Sequence, residues 1–380
     1  MAFGRESDMR PCDLDGIETI EMDRTHGGVK SLDLLDFSAS INPLGPPHAA
    51  LEEYRAAAAA ISSYPEPYAE RLVERIAEWL GIRSDEVIVG NGSTQLIHLF
   101  ARVYRTRFPH VAIPTFSEFA NAIALNGSIP CALQLDRQNA FTIRLADVKH
   151  AIRHGAQAVF IGRPNSPTGS LAPLSVAEEI ASECELAEAF CVFDEAFIDF
   201  SDPAESAIAL IRAIPESRRT GLVIIGSLTK IFAIPGLRVG FLAGPSKVIR
   251  QLRQHLEPWS VNAIAQRVAL ACLIDAAEFR RRTREWLRQE RAYLQEQLAR
   301  IGGIHVFPSM ANFLMFEVYK GFGNSKFGEF MLQHGIAVRD LSVLPGCSSG
   351  LYRVAVRLRA DNDHLLAAAR AYAEDEQRLR

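Results

Sequence analysis

The feature that most constrains this chain is a recurring unit: a short apolar run, a polar turn, then apolar residues at helical spacing. Val87-Ile88-Val89 runs into Gly90-Asn91-Gly92-Ser93-Thr94, and Leu96, Ile97, Phe100, Val103 and Tyr104 follow with a helical period. Val111-Ala112-Ile113-Pro114 is a second run, with Phe116 just beyond it. Ala158-Val159-Phe160-Ile161 leads to the turn Arg163-Pro164-Asn165-Ser166-Pro167-Thr168-Gly169. Phe190-Cys191-Val192-Phe193 ends in Asp194-Glu195, and Leu222-Val223-Ile224-Ile225 ends in Ser227-Leu228-Thr229-Lys230. Runs of this length read as buried strands. Strands alternating with helices predict an α/β fold with a mostly parallel sheet. In such sheets ligands collect at the carboxyl ends of the strands, where the turns at 90–94, 163–169, 194–197 and 227–230 all fall.

Those turns carry a particular chemistry. Lys230 is a single amine able to form a Schiff base. Ser227 and Thr229 supply hydroxyls beside it, and Arg238 supplies a guanidinium eight positions later. A Schiff base combined with a phosphate grip is what pyridoxal 5'-phosphate (PLP) requires. The turn at Gly92, Ser93 and Thr94 opens a helix, whose free amides and dipole favour an anion. A surface lysine in a loop is the plain alternative for Lys230 taken alone; the convergence of four polar turns favours the cofactor.

Length and composition bound the rest. With 380 residues, 48% of them hydrophobic and 23% charged, the chain can fill a large core and divide into two domains. The balance of 41 basic and 45 acidic residues gives no electrostatic case for nucleic acid or an anionic membrane. The six cysteines contain no Cys-x-x-Cys pair, so neither a disulfide framework nor a metal site is expected. No stretch approaches the roughly 18 apolar residues of a membrane span. Residues 1–24 lack a signal-peptide core, and the expectation is a cytoplasmic protein.

Residues 1–30 read as an N-terminal arm and 48–255 as the large domain. Residues 31–47 with 256–380 read as a smaller α+β domain, and the arm is expected to lie with it. Leu72, Val73, Ile76, Trp79 and Leu80 predict a helix over about 66–80 that Gly81 can end. Ser175 and Glu178 have the form of a capping box. In the stretch Phe37 to Pro47, Ser38, Ser40 and Asn42 alternate with apolar residues, so extended chain would present them on one side. Beyond Glu257-Pro258-Trp259 come long helices, then strands near 304–307, 312–318, 336–339 and 352–358.

In combination and order, Pro164-Asn165-Ser166-Pro167-Thr168-Gly169, Asp194-Glu195-Ala196-Phe197, Ser227-Leu228-Thr229-Lys230 and Pro235-Gly236-Leu237-Arg238-Val239-Gly240 resemble the fold-type I PLP enzymes of the aspartate aminotransferase superfamily, over residues 30–375. The likeness is to the group holding histidinol-phosphate aminotransferases and L-threonine-O-3-phosphate decarboxylases. His26-Gly27-Gly28, the stretch from Phe37 to Pro47, Pro258-Trp259-Ser260-Val261-Asn262 and Arg353-Val354-Ala355-Val356-Arg357 look like the decarboxylases, which make the aminopropanol phosphate of cobalamin. The resemblance implies a seven-stranded, mostly parallel sheet between helices, plus a smaller α+β domain.

Carried over, it implies that Lys230 anchors PLP and that Asp194 pairs with the ring nitrogen, where a turn or cap residue is the alternative. It implies that Gly92, Ser93, Thr94, Ser227, Thr229 and Arg238 hold the cofactor phosphate and that Phe116 stacks on the ring, where a core aromatic is the alternative. Asn165 would meet the ring hydroxyl, although Ser166 stands where the superfamily often has that asparagine. Tyr64 would reach the cofactor of a neighbouring copy, implying a homodimer with shared sites. Arg353 would bind the substrate carboxylate, and Arg339, His26 and Asn42 its phosphate. Phe197 stands where the aminotransferases usually have a tyrosine. The activity implied is decarboxylation of L-threonine O-3-phosphate; the alternative is transamination of histidinol phosphate.

Overall fold

The structure is a computed structural model that describes residues 18–22, 27–28, 33–319, 321, 323 and 326–378. The chain sets out with β1 (Leu35–Asp36), α1 (His48–Ala56) and α2 (Glu70–Leu80). Alternation follows: β2 (Val87–Gly90), α3 (Gly92–Val103), β3 (His110–Ile113), α4 (Glu118–Leu125), β4 (Cys131–Gln134), α5 (Leu145–Arg153), β5 (Ala158–Gly162) and α6 (Leu174–Leu186). It continues through β6 (Phe190–Asp194), α7 (Ile208–Ala213), β7 (Leu222–Ser227), the one-turn α8 (Leu228–Ile231), β8 (Gly240–Ala243) and α9 (Ser246–His255). The remainder comprises α10 (Ala263–Cys272), α11 (Ala276–Ala299), β9 (Ile304–Val306), β10 (Phe313–Val318), α12 (Phe327–Gln333), β11 (Ile336–Ala337), β12 (Arg339–Asp340), β13 (Leu351–Ala355) and α13 (Arg359–Arg378).

Strands β2 to β8 form one seven-stranded sheet in the order β2-β8-β7-β6-β5-β3-β4. It is parallel except at β8, which runs antiparallel to both β2 and β7. Alternation within a strand sends successive side chains to opposite faces. On β7, Leu222 and Ile224 join one core, while Val223 and Ile225 join the other. The second core is closed by α3, α4 and α9 through Leu96, Phe100, Phe119, Val248 and Leu252. The first takes in α2, α6 and α7 through Leu72, Ile76, Ile180 and Ile211. Both faces are thus covered by helices, as a parallel sheet requires, which is why its strands read as unbroken apolar runs.

A four-stranded antiparallel sheet, β12-β13-β10-β9, is built from residues 304–355. β1 pairs in parallel with β11, Leu35 opposite Ile336, which ties the segment before α1 to the C-terminal part of the chain. Among the described residues no helix is long and apolar enough to cross a membrane.

Several expectations are corrected. The helix expected over 66–80 starts only at Glu70, because Pro67 and a left-handed Ala69 (φ 53°) hold the chain before it in a turn. No capping box forms at Ser175: α6 begins one residue earlier, behind Pro173, so Ser175 lies inside the helix. Strands β4 and β8 were not anticipated. Each is four residues long, and Gly240-Phe241-Leu242-Ala243 follows a turn that hides it in the glycine-rich motif. Finally, residues 18–20 do not lie with the small sheet. Thr19 bridges Cys131 at the edge of the large one, and the backbones of Glu18 and Ile20 bond those of Ala132 and Pro130.

Candidate active site

A cavity of about 590 Å³ opens at the carboxyl ends of β5, β6 and β7. At the end of β7, Ser227 caps the one-turn α8. Its Oγ accepts from the Thr229 amide at 3.3 Å and meets the Thr229 hydroxyl at 2.8 Å. That turn sets Lys230 into the cavity. Burial, then Arg353 and Arg238, pull its ammonium down to about 8, and only Asp194 acts against them. The neighbouring strand β6 ends in Asp194, which is buried in the cavity wall with Oδ1 accepting from the Ala196 amide at 2.8 Å. Burial pushes the Asp194 carboxyl up to about 6, with Glu195 adding to it and the Ala196 amide and Lys230 opposing. Each group's environment disfavours its charge, and each favours the other's.

The opposite end of the cavity is a cradle for an anion. β2 feeds α3, whose first turn presents Gly92, Ser93 and Thr94. Gly92 is left-handed (φ 77°), and a Cβ there would stand 2.5 Å from the Arg238 guanidinium. A Cβ on Gly240 would collide with the Ser93 amide. Glycine at both places lets the helix N-terminus, Arg238 and the Ser227–Thr229 hydroxyls converge. Phe116 forms a wall and packs edge-on against Phe119.

The third side bears two guanidiniums. Arg339 on β12 lies directly opposite Arg353 on β13, and both line the cavity. Arg353 donates to the Ser166 hydroxyl at 2.9 Å and the Ser38 carbonyl at 2.7 Å, with its centre 5.2 Å above the Phe313 ring. Its buried Nε has no partner among the described residues. Burial and Arg339 pull Arg353 down to about 10, against Asp36, which leaves it a cation at neutral pH.

The cavity therefore brings together Ser93, Thr94, Phe116, Asp194, Ser227, Thr229, Lys230, Arg238, Arg339 and Arg353. Others stand elsewhere. Asn165 is buried behind the wall: it accepts from Thr115 and donates to the Pro114 carbonyl and Thr168, at 2.6, 2.8 and 3.0 Å. Its neighbour Ser166 faces the cavity instead. Asn42 also turns inward. Its side chain donates to the Ile231 carbonyl and Thr283, and its amide to the Lys230 carbonyl, so it braces the lysine's turn from behind. Tyr64 is 85% exposed and outside this cavity. His26 lies outside the described residues.

Ser166, the alternative to Asn165 in the sequence, lines the cavity, and so do Ser38 and Ser40, which the sequence did not mark as site residues. The alternation of Ser38 and Ser40 was the available signal. It ends after Ser40, because the chain turns at 39–45 through Ile41–Ala39 and Gly45–Asn42 backbone bonds.

The donor set fits PLP. A half-buried amine with a depressed pKa suits an aldehyde, and a buried carboxylate suits a protonated ring nitrogen. An aromatic wall suits the ring, and the glycine-lined cradle suits its phosphate.

Comparison with known proteins agrees with this geometry. The family model for aminotransferase class I and II matches residues 33–369. A threonine-phosphate decarboxylase of Salmonella typhimurium is 31% identical over 344 residues, covering 90% of this chain and 92% of that protein. A histidinol-phosphate aminotransferase of Symbiobacterium thermophilum is 33% identical over 312 residues, 81% of this chain and 82% of that one. The crystal structure of the histidinol-phosphate aminotransferase from Clostridium acetobutylicum superimposes with a TM-score of 0.82 at 27% identity, covering 90% of this chain and all of that one. Sequence, fold and cavity lead to one assignment: the chain belongs to the class I and II aminotransferase family.

Proposed function

We propose that this chain removes the carboxylate of L-threonine O-3-phosphate as CO2, leaving (R)-1-amino-2-propanol O-2-phosphate for cobalamin synthesis. The observation that carries the reading is the in-register pair Arg339–Arg353 in the cavity that holds Lys230. A substrate with a carboxylate at one end and a phosphate at the other calls for two separate cations. The likeness to the Salmonella decarboxylase, over nine-tenths of both chains, supports it.

When bound, PLP supplies a conjugated ring that takes up the electron pair left when a bond at the substrate's Cα breaks. Lys230 would hold the cofactor, and Ser93, Thr94, Ser227, Thr229 and Arg238 its phosphate, with Phe116 against the ring. Asp194, buried beside Lys230, would keep the ring nitrogen protonated through a charge-assisted hydrogen bond.

The bond that breaks is the one held perpendicular to the ring, since only that bond overlaps its π system. Selecting it is the work of the arginines. Two hydrogen bonds fix Arg353's plane, and a guanidinium held in this way at the cavity wall would orient the substrate carboxylate. Arg339 would hold the phosphate from the adjoining strand. The carboxylate would depart as CO2, leaving its bonding pair to Cα and the conjugated ring together. Lys230 Nζ would then deliver a proton to Cα; an amine near 8 can hold and release a proton at neutral pH. The reading includes a symmetric dimer in which the partner subunit's Tyr64 reaches the cofactor phosphate.

Histidinol-phosphate transamination is the second reading, favoured by the likeness to the Symbiobacterium protein. That substrate has a phosphate and no carboxylate. The test supplies purified protein with phosphothreonine and measures CO2. In parallel it supplies histidinol phosphate with 2-oxoglutarate and measures glutamate. Turnover confined to the second pair would overturn the decarboxylase reading.

A further inference from the structure

Trp259 is an oddity that the site as described does not use. Its backbone is left-handed, with φ 60°, a conformation strained for a bulky side chain and suited to glycine. It is also 47% exposed, so core packing does not explain why a tryptophan is kept there. The backbone around it is firmly held. The Trp259 amide donates to the Pro67 carbonyl at 2.7 Å, and Gln266 ties the Glu66 carbonyl to that of Val261 at 2.9 and 3.0 Å. Asn262 caps α10 through the Ala265 amide at 2.8 Å. On the near side, Glu257 bonds Arg102 of α3, the helix whose first turn forms the anion cradle.

What this braced turn supports is Tyr64. The Trp259 and Tyr64 rings lie 5.2 Å apart at a tilt of 42°. Tyr64 opens the stretch Tyr64-Pro65-Glu66-Pro67, where two prolines limit the backbone. Its ring stands 85% exposed, and Ile61, three residues earlier, is exposed as well. An aromatic ring thrust into solvent would ordinarily sweep several rotamers. A neighbouring indole on a turn held by these bonds restricts that freedom while leaving the Tyr64 ring open to solvent.

We propose that Trp259 is a positioning residue: its left-handed turn and its ring aim Tyr64 at the cofactor phosphate of a second copy of this chain. This rests on the shared-site reading above. The backbone strain is then the cost of putting the indole under Tyr64, where an ordinary right-handed residue would direct it elsewhere. Trp259 acts through Tyr64 and touches no reacting atom.

The experiment measures cofactor affinity and sedimentation of the full-length protein for Tyr64→Phe, Trp259→Gly, Trp259→Phe and the double variant Tyr64→Phe/Trp259→Gly. Tyr64→Phe should weaken PLP retention about 10-fold, the scale of one lost hydrogen bond to a charged group. Trp259→Gly relieves the φ strain and deletes the ring, so a purely conformational role predicts an unchanged or better protein. We expect it instead to weaken PLP retention to the same degree, with the dimer intact. Trp259→Phe, which restores a ring, should recover most of the loss. The double variant should be no worse than either single one, because both remove the same contact. Wild-type affinity in Trp259→Gly, independent losses in the double variant, or a monomeric Trp259→Gly would each overturn the proposal while leaving Tyr64's role intact. No loss in Tyr64→Phe would instead bring down the shared-site reading itself.

Discussion

The Arg353 guanidinium and the Ser166 hydroxyl lie 2.9 Å apart, joining the arginine-bearing side of the cavity to the turn after β5. The adjacent Asn165 turns its amide the other way, into three bonds behind the wall. One turn therefore carries two polar side chains with different duties.

Substitution separates them. Ser166→Ala should loosen Arg353 and raise KM for phosphothreonine by roughly 10-fold while PLP retention holds, since a bond to a charged group is worth about 1.5–3 kcal/mol. Asn165→Ala leaves buried groups unpaired and should lower Tm with or without cofactor, by an unfolding free energy of about 1–3 kcal/mol. A cofactor-specific defect in Asn165→Ala with unchanged apo-protein Tm would reverse the two assignments.

The depressed ammonium of Lys230 has a kinetic signature. An amine attacks an aldehyde only when unprotonated. A lysine near its ordinary value of about 10.4 would gain roughly 10-fold in rate per pH unit up to about pH 10. Lys230, pulled down to about 8, should gain at that pace only below pH 8 and level off above it. The measurement is uptake of PLP by the apo-protein, trapped with borohydride at pH 6 to 10. Lys230→Ala should show no trapped cofactor at any pH; label on another residue would contradict the assignment.

Asp194→Asn keeps the shape of the carboxylate and removes its charge. Cofactor should still attach to Lys230, because the phosphate cradle and the amine are untouched. Turnover should fall by roughly 100-fold or more, as for breaking a buried charge pair worth about 3–5 kcal/mol. The comparison is bound PLP, by absorbance, against kcat on one preparation. Equal loss of both would assign Asp194 to binding alone.

Arg339 and Arg353 should part company on substrate choice. Arg353→Ala should weaken threonine and phosphothreonine alike. Arg339→Ala should weaken phosphothreonine by roughly 10- to 150-fold in kcat/KM and barely affect threonine, the span of one lost charge-assisted contact. Equal losses on both substrates in Arg339→Ala would remove the phosphate from that strand.

Local chemistry was legible without the fold. The apolar runs before Ser93, Asp194 and Ser227 are short-range patterns, and a parallel sheet covered on both faces leaves them uninterrupted. The lysine, the aspartate and the helix start were legible because each stands within three residues of a strand end, where backbone direction is fixed by the strand.

What the sequence by itself determined was therefore which turns meet and the chemical types they bring. The tertiary structure decided which side chain in each turn faces the cavity. Asn165 and Ser166 are neighbours, as are the alternating Ser38, Ser40 and Asn42, yet only the serines line it. In a strand, side-chain direction follows a period of two; in an irregular turn it follows dihedral angles and distant partners. Asn165 is claimed by Thr115 and Pro114, some fifty positions away in the chain, and Asn42 by Ile231 and Thr283, which are farther still. Those partners exist only once the chain has folded, because a buried amide must find its hydrogen bonds wherever packing puts them.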